Sequence, residues 1–242
     1  LSEITACFLK CYTRSRKVIA LTLRRIISVM LKLMAALAAA WGVYGGLFHP
    51  GKLFIGGLSS LLFFTMQSNI LVIVVQLIMV CYMLKGKHSK TMGRMQLCTV
   101  VSISLTMGVF WTMLAPFNPG IKGLYNQLLH TIAPSLTIID YLFFDDHYKP
   151  DLKDTLYSTL FPLAYVGFTI VCYFLNVEFL PGKNYPYPFL NYGGSAGVFG
   201  FSTNTKDSLY LGSFYWIMIL LILVVLVANI YRFIHNKMQT KG

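Results

Sequence analysis

Six apolar stretches alternate along the chain with short polar or basic breaks. Each is close to the ~20 residues that a helix needs to cross a bilayer. The pattern predicts spans at about 26–48, 59–84, 96–115, 123–144, 155–177 and 213–234. His49-Pro50-Gly51 closes the first, and Pro116-Phe117-Asn118-Pro119-Gly120 is a strong turn after the third. Residues 1–25 mix apolar positions with Lys10, Arg14, Arg16, Lys17, Arg24 and Arg25, which suits a basic segment lying on anionic lipid headgroups. A long segment, 178–212, rich in Gly, Pro, Tyr and Asn, precedes the last span, and 237–242 form a basic tail. The expected fold is all-α: a polytopic membrane protein whose six-helix domain occupies 26–236.

Composition agrees. Of 242 residues 56% are hydrophobic and 12% charged, about half the charged fraction of a soluble domain. The net charge of +12 sits in blocks between apolar stretches, not along one aromatic-interleaved face, so it argues for membrane topology and against nucleic acid. Fifteen of the 20 Lys and Arg fall in the N-terminal segment, the 2–3 and 4–5 loops, and the tail taken together with Arg232 at the end of the last span. The positive-inside rule therefore places both termini in the cytoplasm, and a cell (plasma) membrane is the expected host. Five scattered cysteines, Cys7, Cys11, Cys81, Cys98 and Cys172, have no zinc-site spacing and suggest no disulfide framework.

Topology converts position into depth. Thr65 lies six residues inside the second span from its outer end, and His130 seven inside the fourth, roughly 9 and 10 Å at ~1.5 Å per residue. Thr65 opens an uncharged polar run, Gln67-Ser68-Asn69, sunk in an apolar helix. Thr65, Asn69 and Gln76 share one helical stripe, and Asn126, His130, Pro134, Thr137 and Tyr141 another. Pro134 has no N–H and would leave the carbonyl of His130 without its helical donor, favouring a kinked, cavity-lining helix.

A hydroxyl and an imidazole at one depth form the minimal pair for nucleophilic catalysis, with Thr65 as nucleophile and His130 as base. Asn69, Gln67 or Asn126 could donate to an oxyanion. The same residues equally suit hydrogen bonding between packed helices. They also suit a lipid-binding or transport protein whose polar path would continue inward through Gln76, Thr137, Tyr141 and Asp140.

Phe64-Thr65-Met66-Gln67-Ser68-Asn69, His130-Thr131-Ile132-Ala133-Pro134 and Tyr187-Pro188-Phe189-Leu190 resemble the androgen-induced-gene-type six-span membrane family and its prokaryotic relatives. The resemblance covers most of the chain. It implies an intramembrane hydrolase of lipid-like acyl esters, such as fatty-acid esters of hydroxy fatty acids. Thr65 would be the nucleophile and His130 the base, with no metal or cofactor. Gln67, Ser68, Asn69, Asn126, Tyr187 and Phe189 are then the candidate substrate-binding residues.

Other polar residues read more plainly. Lys32 and Asp140 fall at similar inner depth, as a structural pair or with Lys32 snorkelling to the interface. Asp145, Asp146, His147, Asp151 and Asp154 read as a solvated loop, with Asp154 capping the fifth span. His49, His88 and His235 stand at helix ends, where interfacial positions are expected. The segment 178–212 is either a lid or an ordinary interfacial loop.

Overall fold

The computed structural model describes residues 2–49, 56–117, 123–203 and 210–239, with side chains from Thr22 onward except at 117. The protein is all-helical. Its main helices are α1 (Ser2–Phe48), α2 (Phe64–Leu84), α3 (Lys90–Leu114), α4 (residues 124–144), α5 (Asp154–Phe174) and α6 (Ser213–Gln239). Five of them, α1 from Thr22 onward, α2, α3, α5 and α6, are long and apolar enough to cross a membrane. Residues 124–144 are helical throughout but broken by two π turns, Leu128–Ile132 and Asp140–Phe144, so no regular helix of spanning length forms there. The basic segment and the first span are one unbroken helix, with no boundary at residue 25.

Side-chain size sets the packing. α1 lies against α2 and α4, and its Gly42 and Gly45 face Leu129 and Tyr125 of α4. A Cβ at Gly45 would lie 2.1 Å from the Tyr125 ring, so only glycine lets the two helices approach this closely. α2 ends in a left-handed Gly86 (φ 61). There Lys87 N–H reaches the Tyr82 carbonyl and Gly86 N–H that of Met83, a Schellman stop that turns the chain back into α3. Asn176 (φ 52) ends α5 in the same way.

The bundle end that carries the 85–89 and 145–153 loops is tied by buried polar groups. Lys32 pairs with both Asp140 and Asp145, the latter at 2.9 Å, and none of the three is open to solvent. Ser28 Oγ donates to Asp140 at 2.6 Å, and the His147 N–H donates to Asp145 at 2.9 Å. Burial alone would raise the Asp145 carboxyl, but the adjacent Lys32 ammonium overrides it and holds Asp145 below its usual range. The loop 145–154 is therefore not simply solvated: its first and last aspartates are buried, because each meets a cation. Asp154 bonds Arg94 at 2.6 Å. The turn before α5 is capped reciprocally: Asp151 accepts from the Asp154 N–H, and Asp154 accepts from the Asp151 N–H. His235 is not interfacial. It is buried, with its ring nitrogens bridging the carbonyls of Tyr141 (2.7 Å) and Tyr148 (2.9 Å).

At the opposite end the Tyr-Pro-rich segment folds down into the bundle. Phe179, Tyr187, Phe189 and Leu190 are buried in one cluster with Phe63, Phe64, Tyr165 and Cys172. Tyr187 and Phe189 stack at 5.1 Å, and Phe63 meets both Phe179 and Tyr187 edge-on.

Candidate functional site

Helix α2 begins later than hydrophobicity alone indicates. Leu58–Leu62 is a 3-10 turn closed by Ser60 Oγ on the Gly57 carbonyl (2.7 Å), and Phe63 is extended at φ −89, ψ 143. The α-helix starts at Phe64. Thr65 is thus the second residue of α2, not one deep within a span. The main-chain N–H groups of Phe64 and Thr65 consequently have no acceptor inside the helix and point outward at its positive end.

A narrow cavity, with about 60 Å³ of room for water-sized groups, adjoins this helix start. Thr65, Thr106, His130, Tyr165 and Tyr187 are its polar lining residues, and the rest, from Phe64 and Leu105 to Leu220 and Val224, are apolar. The two residues matched by depth in the sequence therefore face one space. The Tyr187 hydroxyl lies in hydrogen-bonding range of the Thr65 hydroxyl and of the main-chain N–H groups of Phe64 and Thr65, beside Tyr165. Burial pushes this phenol up to about 12, with the Thr65 hydroxyl and those N–H groups pulling the other way, so it stays protonated at neutral pH. Tyr165 itself donates to the Leu62 carbonyl at 3.1 Å.

His130 is held by stacking. Its ring lies flat on Phe110, with centroids 3.8 Å apart and an interplanar angle of 10°, and it meets the Thr106 main chain. Nδ1 is buried and has no partner among the described residues. The first π turn of α4 centres on this histidine. Ala133 N–H donates to the Leu128 carbonyl, and Pro134, next in line, has no N–H. The carbonyl freed is therefore that of Leu129, one residue before the expected His130, because the π turn shifts the register. Asn69 Nδ2 satisfies it at 3.2 Å and also donates to the Thr65 carbonyl at 2.8 Å.

The other candidates divide into lining and support. Tyr187 and Phe189 line the cavity, whereas Gln67, Ser68, Asn69 and Asn126 do not. Gln67 turns back to the Leu61 carbonyl at 3.2 Å, consistent with its facing away from Thr65. Ser68 bonds the Thr65 carbonyl at 3.1 Å and the Thr106 hydroxyl at 2.7 Å. Asn126 is buried one turn before His130. Sequence reasoning did not find Thr106, Phe110 or Tyr165, although Tyr165 three residues after Pro162 in an apolar run is a polar signal of the kind that drew attention to Thr65. No group of three or more His, Cys, Asp or Glu able to hold a metal occurs among the described residues. No family model, curated protein or solved structure matches the chain.

Proposed function

We propose that this multi-pass membrane protein is an intramembrane hydrolase of lipid-like acyl esters, with 124–144 as a sixth, π-broken span and both termini cytoplasmic. One observation carries the reading. Thr65, His130 and the start of α2, whose Phe64 and Thr65 N–H groups meet the Tyr187 hydroxyl, adjoin one apolar cavity, while Gln76, Thr137 and Asp140 deeper in the bundle are bonded elsewhere. The resemblance to the androgen-induced-gene-type family supports the same roles.

In this reading His130 takes the Thr65 hydroxyl proton as Oγ1 attacks the ester carbonyl carbon. The carbonyl oxygen, now anionic, sits where the Tyr187 hydroxyl rests, on the N–H groups of Phe64 and Thr65. These replace Asn69, Gln67 and Asn126 as oxyanion donors. Breaking the ester C–O bond releases the alcohol with the proton from His130. Water, deprotonated by the same imidazole, then attacks the acyl-threonine carbonyl; the acyl–Oγ1 bond breaks, His130 returns the proton to Oγ1 and the fatty acid leaves. The inner walls, Leu220, Leu221 and Val224, receive the acyl chain.

The transport alternative needs an inward polar path. Gln76 accepts from Gln96 at 3.4 Å, Thr137 bonds its own helix at 2.8 Å and Asp140 pairs with Lys32; the Tyr141 hydroxyl is buried without a partner among the described residues, and none of the four lines the cavity.

The test is purified protein in nanodiscs, given a panel of lipid esters, beside Thr65→Ala and His130→Ala. The wild type is expected to turn over a long-chain ester, with both variants slower by ~10²-fold or more. A fluorophosphonate probe is expected to label wild type and not Thr65→Ala. Equal turnover by all three proteins overturns the proposal.

A further inference from the structure

The segment that follows α5 begins and ends on the same helix. At its start Asn176 is left-handed (φ 52), and the Val177 N–H reaches the Cys172 carbonyl at 2.9 Å. At its end the Tyr192 hydroxyl bonds that of Thr169 at 2.8 Å, and the Tyr192 ring meets Tyr173 edge-on. Thr169, Cys172 and Tyr173 lie within about one turn of α5, so residues 178–191 are a loop with neighbouring ends, an Ω-loop. Its main-chain hydrogen bonds among the described residues are local: Phe179 N–H to the Lys183 carbonyl at 2.9 Å, Lys183 N–H to that of Leu180 at 2.8 Å and Leu190 N–H to that of Tyr187 at 2.9 Å. Pro181, Pro186 and Pro188 have no N–H to give.

The body of the loop leans on the entry to α2 and on α6 through side chains. Tyr187 meets Phe63 edge-on at 6.0 Å, Phe179 meets the same ring at 5.7 Å, and Phe189 lies 6.4 Å from Trp216 of α6. The polar contact is the Tyr187 hydroxyl, set against the Thr65 hydroxyl and the N–H groups of Phe64 and Thr65. A side-chain oxygen of the loop thus fills the seat at the positive end of α2. Tyr187, Phe189 and Leu190 also wall the cavity beside it. The room left there, about 60 Å³, holds roughly 4–6 waters at ~10–15 Å³ each and is too small for a long acyl chain.

We propose that 178–191 is an autoinhibitory strap: Tyr187 occupies the Thr65 site as a tethered ligand, and the strap opens the site by lifting off α2 while both its ends stay on α5. What this means for esters rests on the hydrolase reading, in which the ester carbonyl oxygen takes the seat that the phenol leaves; the lifting itself does not. Because its main-chain bonds are local, the loop can leave α2 without breaking a helix or a strand pairing. Because both ends are fixed to one helix, it returns to the same position.

Hydrogen exchange read by mass spectrometry, on the whole protein in phosphatidylcholine nanodiscs, follows the lifting without any substrate. Tyr187→Phe keeps the ring contacts and removes the hydroxyl. It should quicken exchange of the 178–191 peptides about tenfold, the effect of ~1.4 kcal/mol of lost closing free energy, while the 145–153 loop exchanges as in wild type. Thr65→Val removes the partner hydroxyl and leaves the N–H groups, so it should quicken the same peptides less. The double variant should be no faster than Tyr187→Phe, since both changes break one contact. Exchange of 178–191 unchanged in Tyr187→Phe, quickening shared equally by 145–153, or additive effects in the double variant would overturn the strap. A strap that responds as expected in a protein that neither cleaves an ester nor takes a fluorophosphonate would uphold the inference and overturn the hydrolase reading alone.

Discussion

Replacing Lys32 by Met tests the inner cluster independently of any activity. The substitution keeps the long apolar stem and removes the ammonium, leaving Asp140 and Asp145 buried without their shared cation. Ser28 and the His147 N–H still donate one hydrogen bond to each carboxylate, but neither supplies charge. Removing one partner of a buried ion pair costs about 3–5 kcal/mol. For a chain of this size that is a fall of roughly 6–20 °C in melting temperature. Intrinsic tryptophan fluorescence reports unfolding of detergent-solubilised protein. Lys32→Met/Asp140→Asn/Asp145→Asn, which removes all three charges, should recover most of the loss, since buried ion pairs and neutral replacements are often nearly equal in stability. A single variant melting within ~2 °C of wild type, or a triple variant no better than the single, would refute the pairing described.

The pH dependence of the wild type has a definite sign. Asp145 is depressed in the folded state, so its contribution is fully present above the ordinary carboxylate range near pH ~4 and is lost as pH falls through its lower folded value; tryptophan-fluorescence melts between pH 3 and 7 should show stability dropping at the acid end. Tyr187→Phe keeps the stack on Phe189 and vacates the N–H groups of Phe64 and Thr65, so fluorophosphonate labelling of Thr65 should quicken. A fall of ~10²-fold would show instead that the phenol is itself a needed donor. Gly93→Ala would place a Cβ 2.3 Å from Tyr148 and should destabilise by about 1–3 kcal/mol. Gly108→Ala meets nothing and should stabilise by up to ~1 kcal/mol, read in the same melts.

Hydropathy was sufficient for the helical class and for the long apolar helices, because bilayer thickness imposes their length. Depth arithmetic brought Thr65 and His130 to one level, and they do line one cavity. What it missed depends on local geometry that hydropathy does not encode. The 3-10 turn at Leu58–Leu62 moved the start of α2 to Phe64 and so created donors beside Thr65. The π turn at Leu128–Ile132 moved the freed carbonyl to Leu129. The burial of His235, Asp145, Phe179, Tyr187, Phe189 and Leu190 follows from contacts between distant stretches: His235 is enclosed by the carbonyls of Tyr141 and Tyr148, and Tyr187 by the beginning of α2. Nothing in the periodicity around those residues carries that information.

The Asn69 side chain acts as a strut of fixed length. One amide nitrogen grips the turn of α2 that carries Thr65 and the turn of α4 that carries His130. When a thicker or thinner bilayer tilts one helix, the other is carried with it, so the spacing of hydroxyl and imidazole is buffered against the thickness of the host membrane. Under the proposed hydrolase reading, ester turnover by the wild type should therefore vary little across nanodiscs of different acyl length. Asn69→Ala, with the strut cut, should become sensitive to that length, and equal insensitivity in both proteins would show that the two helices are held together elsewhere.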